Sequence, residues 1–380
     1  LMTKATLPPF IPLVDSLPAS VPFVGPETLE RMHERAFLAR IGANESVFGP
    51  SPLAIEAMQA EAKGVWQYGD PENFELKQAL AKKHGISADH IAIGEGIDGL
   101  LGYLVRLFVE AGVHVVTTDG AYPTFNYHVT GFGGHLHKVS FKDDREDPAA
   151  LLDKANEVGA RIIYLSNPNN PMGSTNPARI IEDLADNLPP QTLLCLDEAY
   201  ADFLDAAQIP NIAPDHPQII RMRTFSKAYG MAGARIGYAI THSKLATAFH
   251  KIRNHFGMSR ISQAGALAAL EDTQYLPAIR AKVEGALSDI AAIAVENGLT
   301  PLASATNFLA IDCGGDGDFA ARVMQNLIHQ GIFVRMPGTA PQNRCIRITA
   351  GTPEDCTHLA ANLPKALEAA RKNPHAIKAS

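Results

Sequence analysis

Between about residue 73 and residue 240 the chain alternates helix-length amphipathic segments with short, nearly continuous apolar runs: Ile91-Ala92-Ile93, Val113 to Thr117, Arg161 to Ser166, Thr192 to Asp197 and Ile219 to Met222. Runs rich in Val, Ile and Leu that lack polar alternation are strands buried on both faces, and helices between them give a mostly parallel sheet covered on either side. The pattern predicts a doubly wound α/β domain. In such sheets ligands collect beyond the carboxyl ends of the strands, so the polar residues that follow each run are the ones to read for chemistry. An alanine-rich helical stretch over 243–295 leads into an α+β unit with runs at Asn307 to Ile311, Ile332 to Arg335 and Ile346 to Thr349, closed by a helix from about Pro353 to Arg371. Residues 1–40 are proline-rich and turn helical at Pro26-Glu27-Thr28-Leu29-Glu30, where acid in the first turn favours a helix start. The divisions expected are an N-terminal arm with one helix over 1–45 that forms part of the small domain, a large domain over 46–275 and a small C-terminal α+β domain over 276–380.

Composition narrows the class. Over 380 residues the formal net charge is -7, with the charges interspersed, so there is no basic stripe for nucleic acid. Cys195, Cys313, Cys345 and Cys356 have neither metal-ligand spacing nor the density of a disulfide framework, and read as reduced thiols of an intracellular protein with no metal. Prolines interrupt the first residues, which hold no apolar stretch long enough for a signal peptide or membrane span. The expectation is a cytoplasmic protein without a membrane partner.

The stretch Thr224-Phe225-Ser226-Lys227-Ala228-Tyr229-Gly230-Met231-Ala232-Gly233-Ala234-Arg235 places a lysine, two hydroxyls and an arginine within a dozen residues, directly after an apolar run. Partial desolvation in such a loop lowers an amine's pKa and makes Lys227 a nucleophile toward carbonyls, with a Schiff base as product. Arg235 offers a planar fork suited to phosphate, and Thr224 and Ser226 supply hydroxyls to the same anion. Together they describe a phosphorylated aldehyde held covalently, which is pyridoxal 5'-phosphate. The Gly94-Glu95-Gly96-Ile97-Asp98-Gly99 turn opens a helix after the first predicted strand, and its N–H groups form a second anion cradle.

Asp197-Glu198-Ala199-Tyr200 ends an apolar strand. A buried carboxylate there needs a partner, and a protonated pyridine nitrogen suits it, although a helix cap or structural ion pair would also satisfy it. Tyr200 and Asn170, the latter within Ser166-Asn167-Pro168-Asn169-Asn170-Pro171-Met172-Gly173, are placed to hydrogen-bond a ring phenolate. Phe125, in Ala121-Tyr122-Pro123-Thr124-Phe125, is a candidate to stack on a flat cofactor, against the alternative of a core aromatic. Arg347 stands on an otherwise apolar or small-residue strand and calls for an anion.

In order and spacing these residues resemble the fold-type I pyridoxal-phosphate aminotransferases of class I/II, and within them the histidinol-phosphate aminotransferase branch, over about residues 20–365. The motifs that carry the resemblance are Asn44-Glu45 with Gly49-Pro50-Ser51-Pro52, Tyr68 in Trp66-Gln67-Tyr68-Gly69-Asp70-Pro71, the Gly94 to Asp98 turn, Asn167 to Gly173, Asp197 to Tyr200, Ser226-Lys227 with Arg235, and Ile346 to Thr352. The resemblance implies a large sheet of seven strands and a smaller α+β domain. It implies Lys227 as the Schiff-base lysine and proton shuttle, Asp197 as pyridinium partner, and Asn170 and Tyr200 on the phenolate oxygen. Gly96, Ile97, Asp98, Thr224, Ser226 and Arg235 would then form the phosphate cup, with Ile97 offering only its N–H, and Phe125 would stack on the ring. Tyr68 would reach the neighbouring subunit's phosphate site, which implies a homodimer with shared active sites, and Arg347 would grip a substrate carboxylate.

Departures fall where the substrate side chain belongs. Pro22-Phe23-Val24-Gly25-Pro26 carries phenylalanine where histidinol-phosphate enzymes often carry tyrosine, and Asn254 to Arg260 departs from the family's tyrosine-proline pattern. Arg335 and Arg260 remain as anion partners, with His255 and Phe256 as aromatic surface. The expected activity is amino transfer between an amino acid or amino-alcohol phosphate and a 2-oxo acid. A threonine-phosphate decarboxylase type of lyase and an aromatic or acidic amino acid aminotransferase are the alternatives on the same scaffold.

Overall fold

A computed structural model describes residues 7–19 and 24–372, so Phe23 lies outside the described residues. In chain order the first strands are β1 (Ala39–Arg40), β2 (Ile91–Gly94), β3 (His114–Thr118), β4 (His135–Val139), β5 (Ile162–Ser166) and β6 (Leu193–Asp197). They are followed by β7 (Ile219–Thr224), β8 (Gly237–Thr241), β9 (Thr300–Pro301), β10 (Phe308–Asp312), β11 (Ile332–Phe333) and β12 (Cys345–Thr349). Seven of them form the large sheet, in the order β2-β8-β7-β6-β5-β3-β4. Every pairing in it is parallel except the two made by β8. The doubly wound α/β reading is correct.

The central strands alternate their side chains between two helical layers. Ile162, Tyr164 and Cys195 pack with the helices Gly96–Phe108 and Pro123–Gly131, whereas Ile163, Leu165, Leu194 and Leu196 pack with Pro148–Val158 and Ala178–Asp186. Burial on both faces is why these strands read as unbroken apolar runs. Two strands of the sheet carry no such run. The strand β4, His135-Leu136-His137-Lys138-Val139, is an edge that pairs only with β3 and keeps polar side chains, as edges do. In β8 only Tyr238-Ala239-Ile240 is apolar, framed by Gly237 and Thr241.

A second core is built from Ile290, Leu309, Ile311, Val323, Leu327, Ile346, Ile348, Leu359 and Leu363, around the antiparallel sheet β12-β10-β9. Ala39 and Ile41 belong to this core although they precede the large sheet in sequence. They are fastened there by the parallel β1–β11 pair and by the Thr349 N–H donating to the Ile41 carbonyl at 2.8 Å. The chain therefore passes from one core to the other at residues 42–51, beside the carboxyl ends of the parallel strands.

Candidate active site

Where β5, β6 and β7 end, the structure holds a cavity of about 340 Å³ whose wall includes Ser166, Asp197, Tyr200, Thr224, Ser226 and Lys227. A second cavity, of about 440 Å³, shares Ala43, Tyr122, Asn170 and Lys227 with the first and is lined further by Arg335 and Arg347. Both are of ligand size. Lys227 therefore stands where the two spaces meet.

At one end of the first cavity are groups suited to an anion. The helix Gly96–Phe108 starts there, and Gly96 takes φ +76, which lets the turn bring free N–H groups close to a ligand. The Thr224 hydroxyl donates to Ser226 Oγ at 2.9 Å, the Ser226 N–H donates to Thr224 Oγ1 at 3.0 Å, and Arg235 Nη1 donates to Ser226 Oγ at 3.3 Å. Ile97 and Asp98 complete this wall, with Asp98 Oδ2 only 3.9 Å from Arg235 Nη2. The predicted cup residues are all brought together.

Lys227 Nζ donates to the Asn44 carbonyl at 3.1 Å and lies 5.7 Å from the centre of the Tyr200 ring. Burial, and then the Arg347 charge, bring its amine down to about 8 from the ordinary 10.5. Tyr200 is 3 % exposed and its oxygen accepts from Asn44 Nδ2 at 3.0 Å. Burial raises its phenol to about 12, so it stays protonated at neutral pH.

Asp197 is 4 % exposed, and no basic side chain lies within ion-pair distance of it among the described residues. Its oxygens accept from the Tyr164 hydroxyl at 2.6 Å and the Ala199 N–H at 3.0 Å. Burial pushes its carboxyl up to about 6 despite these donors. In the second cavity Arg347 donates to Asn170 Oδ1 at 2.5 Å and to the Gly42 carbonyl at 3.1 Å, while its buried Nε has no partner. Asn170 is thus tied to Arg347.

Two expectations need revision. Phe125 does not face the cavity: it is fully buried in the core, stacked on Tyr164 at 4.6 Å with the rings 14° apart. The aromatic at the wall is Tyr122, whose hydroxyl donates to Asp98 Oδ1 at 2.9 Å. Pro123 begins the helix, which leaves Tyr122 as its N-cap, outside the helix, and turns Phe125 inward. Arg260 is occupied by Glu61 at 2.6 Å, and His255 by the His250 carbonyl at 3.0 Å. Tyr68 is 77 % exposed against Phe256 and does not reach the cavity of its own chain.

Sequence reasoning also passed over the roles of Asn44, Tyr164 and Glu146. Asn44 reaches both Lys227 and Tyr200 from a left-handed backbone of φ 56. Glu146 is 1 % exposed and accepts from Thr118, Ser166 and Asn169 side chains at 2.6 to 2.8 Å, which pins the turn that carries Asn170. Burial holds its carboxyl above the ordinary value.

The comparison with known proteins decides the family. The model of aminotransferase class I and II matches residues 39–363. This chain belongs to the class I and II aminotransferases. It is 30% identical over 355 residues to histidinol-phosphate aminotransferase of Desulfotalea psychrophila, covering 92% of each chain. It is 33% identical over 337 residues to histidinol-phosphate aminotransferase 2 of Ralstonia nicotianae, covering 88% of this chain and 90% of that one. The crystal structure of histidinol-phosphate aminotransferase from Sinorhizobium meliloti, in complex with pyridoxal-5'-phosphate, superposes with a TM-score of 0.93 at 52% identity, over 96% of this aminotransferase and 99% of that chain. Among the described residues no helix is long and apolar enough to cross a membrane.

Proposed function

We propose that this aminotransferase, which uses pyridoxal phosphate, moves an amino group between histidinol phosphate and a 2-oxo acid. The observation that carries the substrate is the pair Arg335 and Arg347 on the wall beside Lys227: among the described residues neither meets a carboxylate. Among the described residues the Arg335 guanidinium donates to the Val24 carbonyl, and the Arg347 guanidinium to Asn170 and Gly42. Two unpaired guanidinium groups suit a phosphate ester in one half-reaction and a carboxylate in the other. The names of the relatives at 30 to 52% identity point the same way.

The residues present fit the cofactor. An uncompensated buried carboxylate at Asp197, a desolvated amine at Lys227 and the anion cradle at Gly96, Thr224, Ser226 and Arg235 surround one cavity. Thr224, Ser226, Arg235 and the helix N-terminus would hold the phosphate, Asp197 the ring nitrogen, Tyr200 the ring oxygen, and Tyr122 a ring face. Bound pyridoxal phosphate supplies an electron-poor ring that takes up the electron pair when a substrate C–H bond breaks. Lys227 Nζ is the proton carrier. With a pKa of about 8, about half of the amine is neutral at pH 8, against less than about one part in a hundred for an ordinary lysine. The Asn44 carbonyl steers Nζ between the two cavities. Tyr200, still protonated, donates a hydrogen bond, and Arg347 and Arg335 orient the anionic end of the substrate.

On this reading the cofactor-binding unit spans 46–275, the small unit 276–380 and the arm 1–45, and the enzyme is a cytoplasmic homodimer. Support for the dimer comes from Trp66, Tyr68 and Phe256, which are 80 %, 77 % and 54 % exposed, the rings of Tyr68 and Phe256 being 4.8 Å apart. A surface of this kind marks an interface, and Tyr68 would extend into the partner's phosphate site. The test of substrate is a comparison of kcat/KM for histidinol phosphate, phenylalanine, tyrosine and glutamate, with carbon dioxide release followed in parallel. Histidinol phosphate leads by at least tenfold. A tenfold lead for any of the others, or decarboxylation in place of transfer, overturns the assignment.

A further inference from the structure

Tyr164 sits in the middle of β5 and lines neither cavity, yet its hydroxyl makes the shortest contact to the Asp197 carboxylate, 2.6 Å to Oδ2. The register explains the meeting. Tyr164 lies opposite Cys195 and Ser166 opposite Asp197, so Tyr164 and Asp197 are diagonal neighbours on one sheet face, within reach of a long aromatic side chain. A one-residue slip would put Ile163 or Leu165 there. Phe125 stacks on the Tyr164 ring from the helical layer, away from the hydroxyl that meets Asp197. Both partners are buried, Tyr164 completely.

We propose that Tyr164 is a positioning residue that keeps the Asp197 carboxylate ionised and turned toward the cavity, and thereby sets the affinity of the site for the pyridinium nitrogen of the cofactor; this rests on the pyridoxal phosphate reading above. Burying a carboxylate without a cation favours its neutral form. Among the described residues two hydrogen-bond donors oppose that tendency, the Tyr164 hydroxyl and the Ala199 N–H, with a smaller contribution from the Lys227 charge, and of the two donors only the hydroxyl belongs to a side chain. Tyr164 is itself held far above an ordinary phenol by burial, so it donates at every working pH. A carboxylate has about four lone-pair positions. Two are taken from within the protein, which leaves the cavity-facing side for a charged N–H.

The test uses apo-protein of the full chain as wild type, Tyr164→Phe and Phe125→Leu. The dissociation constant for pyridoxal phosphate is measured by absorbance titration from pH 5.5 to 8.5, with circular dichroism to confirm the fold. A hydrogen bond to a charged group carries about tenfold to a hundredfold in such an equilibrium. Tyr164→Phe therefore binds about tenfold or more weakly at pH 7, and the pH below which wild-type binding fades moves up by about one unit or more. Phe125→Leu disturbs packing and leaves that midpoint in place. A Tyr164→Phe curve that superimposes on wild type overturns the inference, as does a loss of affinity that is equal at every pH, since packing alone has no acid limb. Wild-type protein that takes up no pyridoxal phosphate overturns the cofactor reading and this inference with it.

Discussion

Replacing Arg347 by methionine separates binding from stability. The guanidinium has only neutral acceptors, the Asn170 side chain and the Gly42 carbonyl, and its Nε has none. Burial, with a contribution from Arg335, brings it down to about 10 from 12.5. At 1.36 kcal/mol per unit, holding this charge costs about 3 kcal/mol, which water reaching the cavity reduces to about 1 to 2 kcal/mol. Methionine fills similar volume without the charge, and such exchanges leave stability unchanged or raised. For an anionic substrate the loss is that of charge-assisted hydrogen bonds, about 1.5 to 3 kcal/mol, or about 10- to 150-fold in kcat/KM. The assay pairs thermal unfolding of apo-protein with steady-state kinetics on histidinol phosphate. A large drop in stability with unchanged kinetics would refute the argument, because it would mean that Arg347 holds the fold together and does not wait for an anion.

Two further outcomes concern Lys227 and the part-buried His84, whose Nε2 lies 2.8 Å from the Tyr238 hydroxyl. Lys227→Ala abolishes amino transfer, and borohydride treatment of wild type attaches the cofactor to the peptide containing Lys227; attachment to another lysine would refute the assignment. His84 is brought down to about 3 by burial and then by Arg223 and Lys83. It stays neutral in the fold while the unfolded chain protonates near pH 6.5, so its contribution is complete above that pH and is lost as pH falls. Asp197 and Glu146, whose pKa values are raised, act in the opposite sense, so the test is a difference. Relative to wild type, His84→Gln should gain about 2 to 3 kcal/mol of unfolding free energy between pH 6.5 and 4.5 by urea titration, and a pH-independent difference would contradict this.

What was legible in the sequence follows from which interactions are local. The runs that became β5, β6 and the start of β7 were plain because burial on both faces leaves few polar positions before their carboxyl ends, the exceptions in β7 being Arg221 and Arg223, which pair with Glu198. Ser226, Lys227 and Arg235 were readable because one loop carries them all. The aromatic at the cavity wall was misplaced by three residues because the helix begins at Pro123, which leaves Tyr122 outside it and puts Phe125 on its buried face. Asn44 and Tyr200 stand 156 positions apart, and no spacing rule reaches that far. Tyr164 looked like one more core residue, since the strand register that sets it under Asp197 appears only once β5 and β6 are paired.

The crossing at residues 42–44 acts as a ruler between the two cores. Ile41 is anchored by Thr349 at one end, and the next residues deliver the Gly42 carbonyl to Arg347 and the Asn44 carbonyl to Lys227. Gly42 has no room for a side chain, because a Cβ there would press on Phe333 and the Val334 backbone. An inserted residue would advance the chain by roughly 3.3 Å, more than a hydrogen bond tolerates, and would break the contacts to Arg347 and Lys227 together. The length of this span, as much as its side chains, therefore sets the distance between the two contacts.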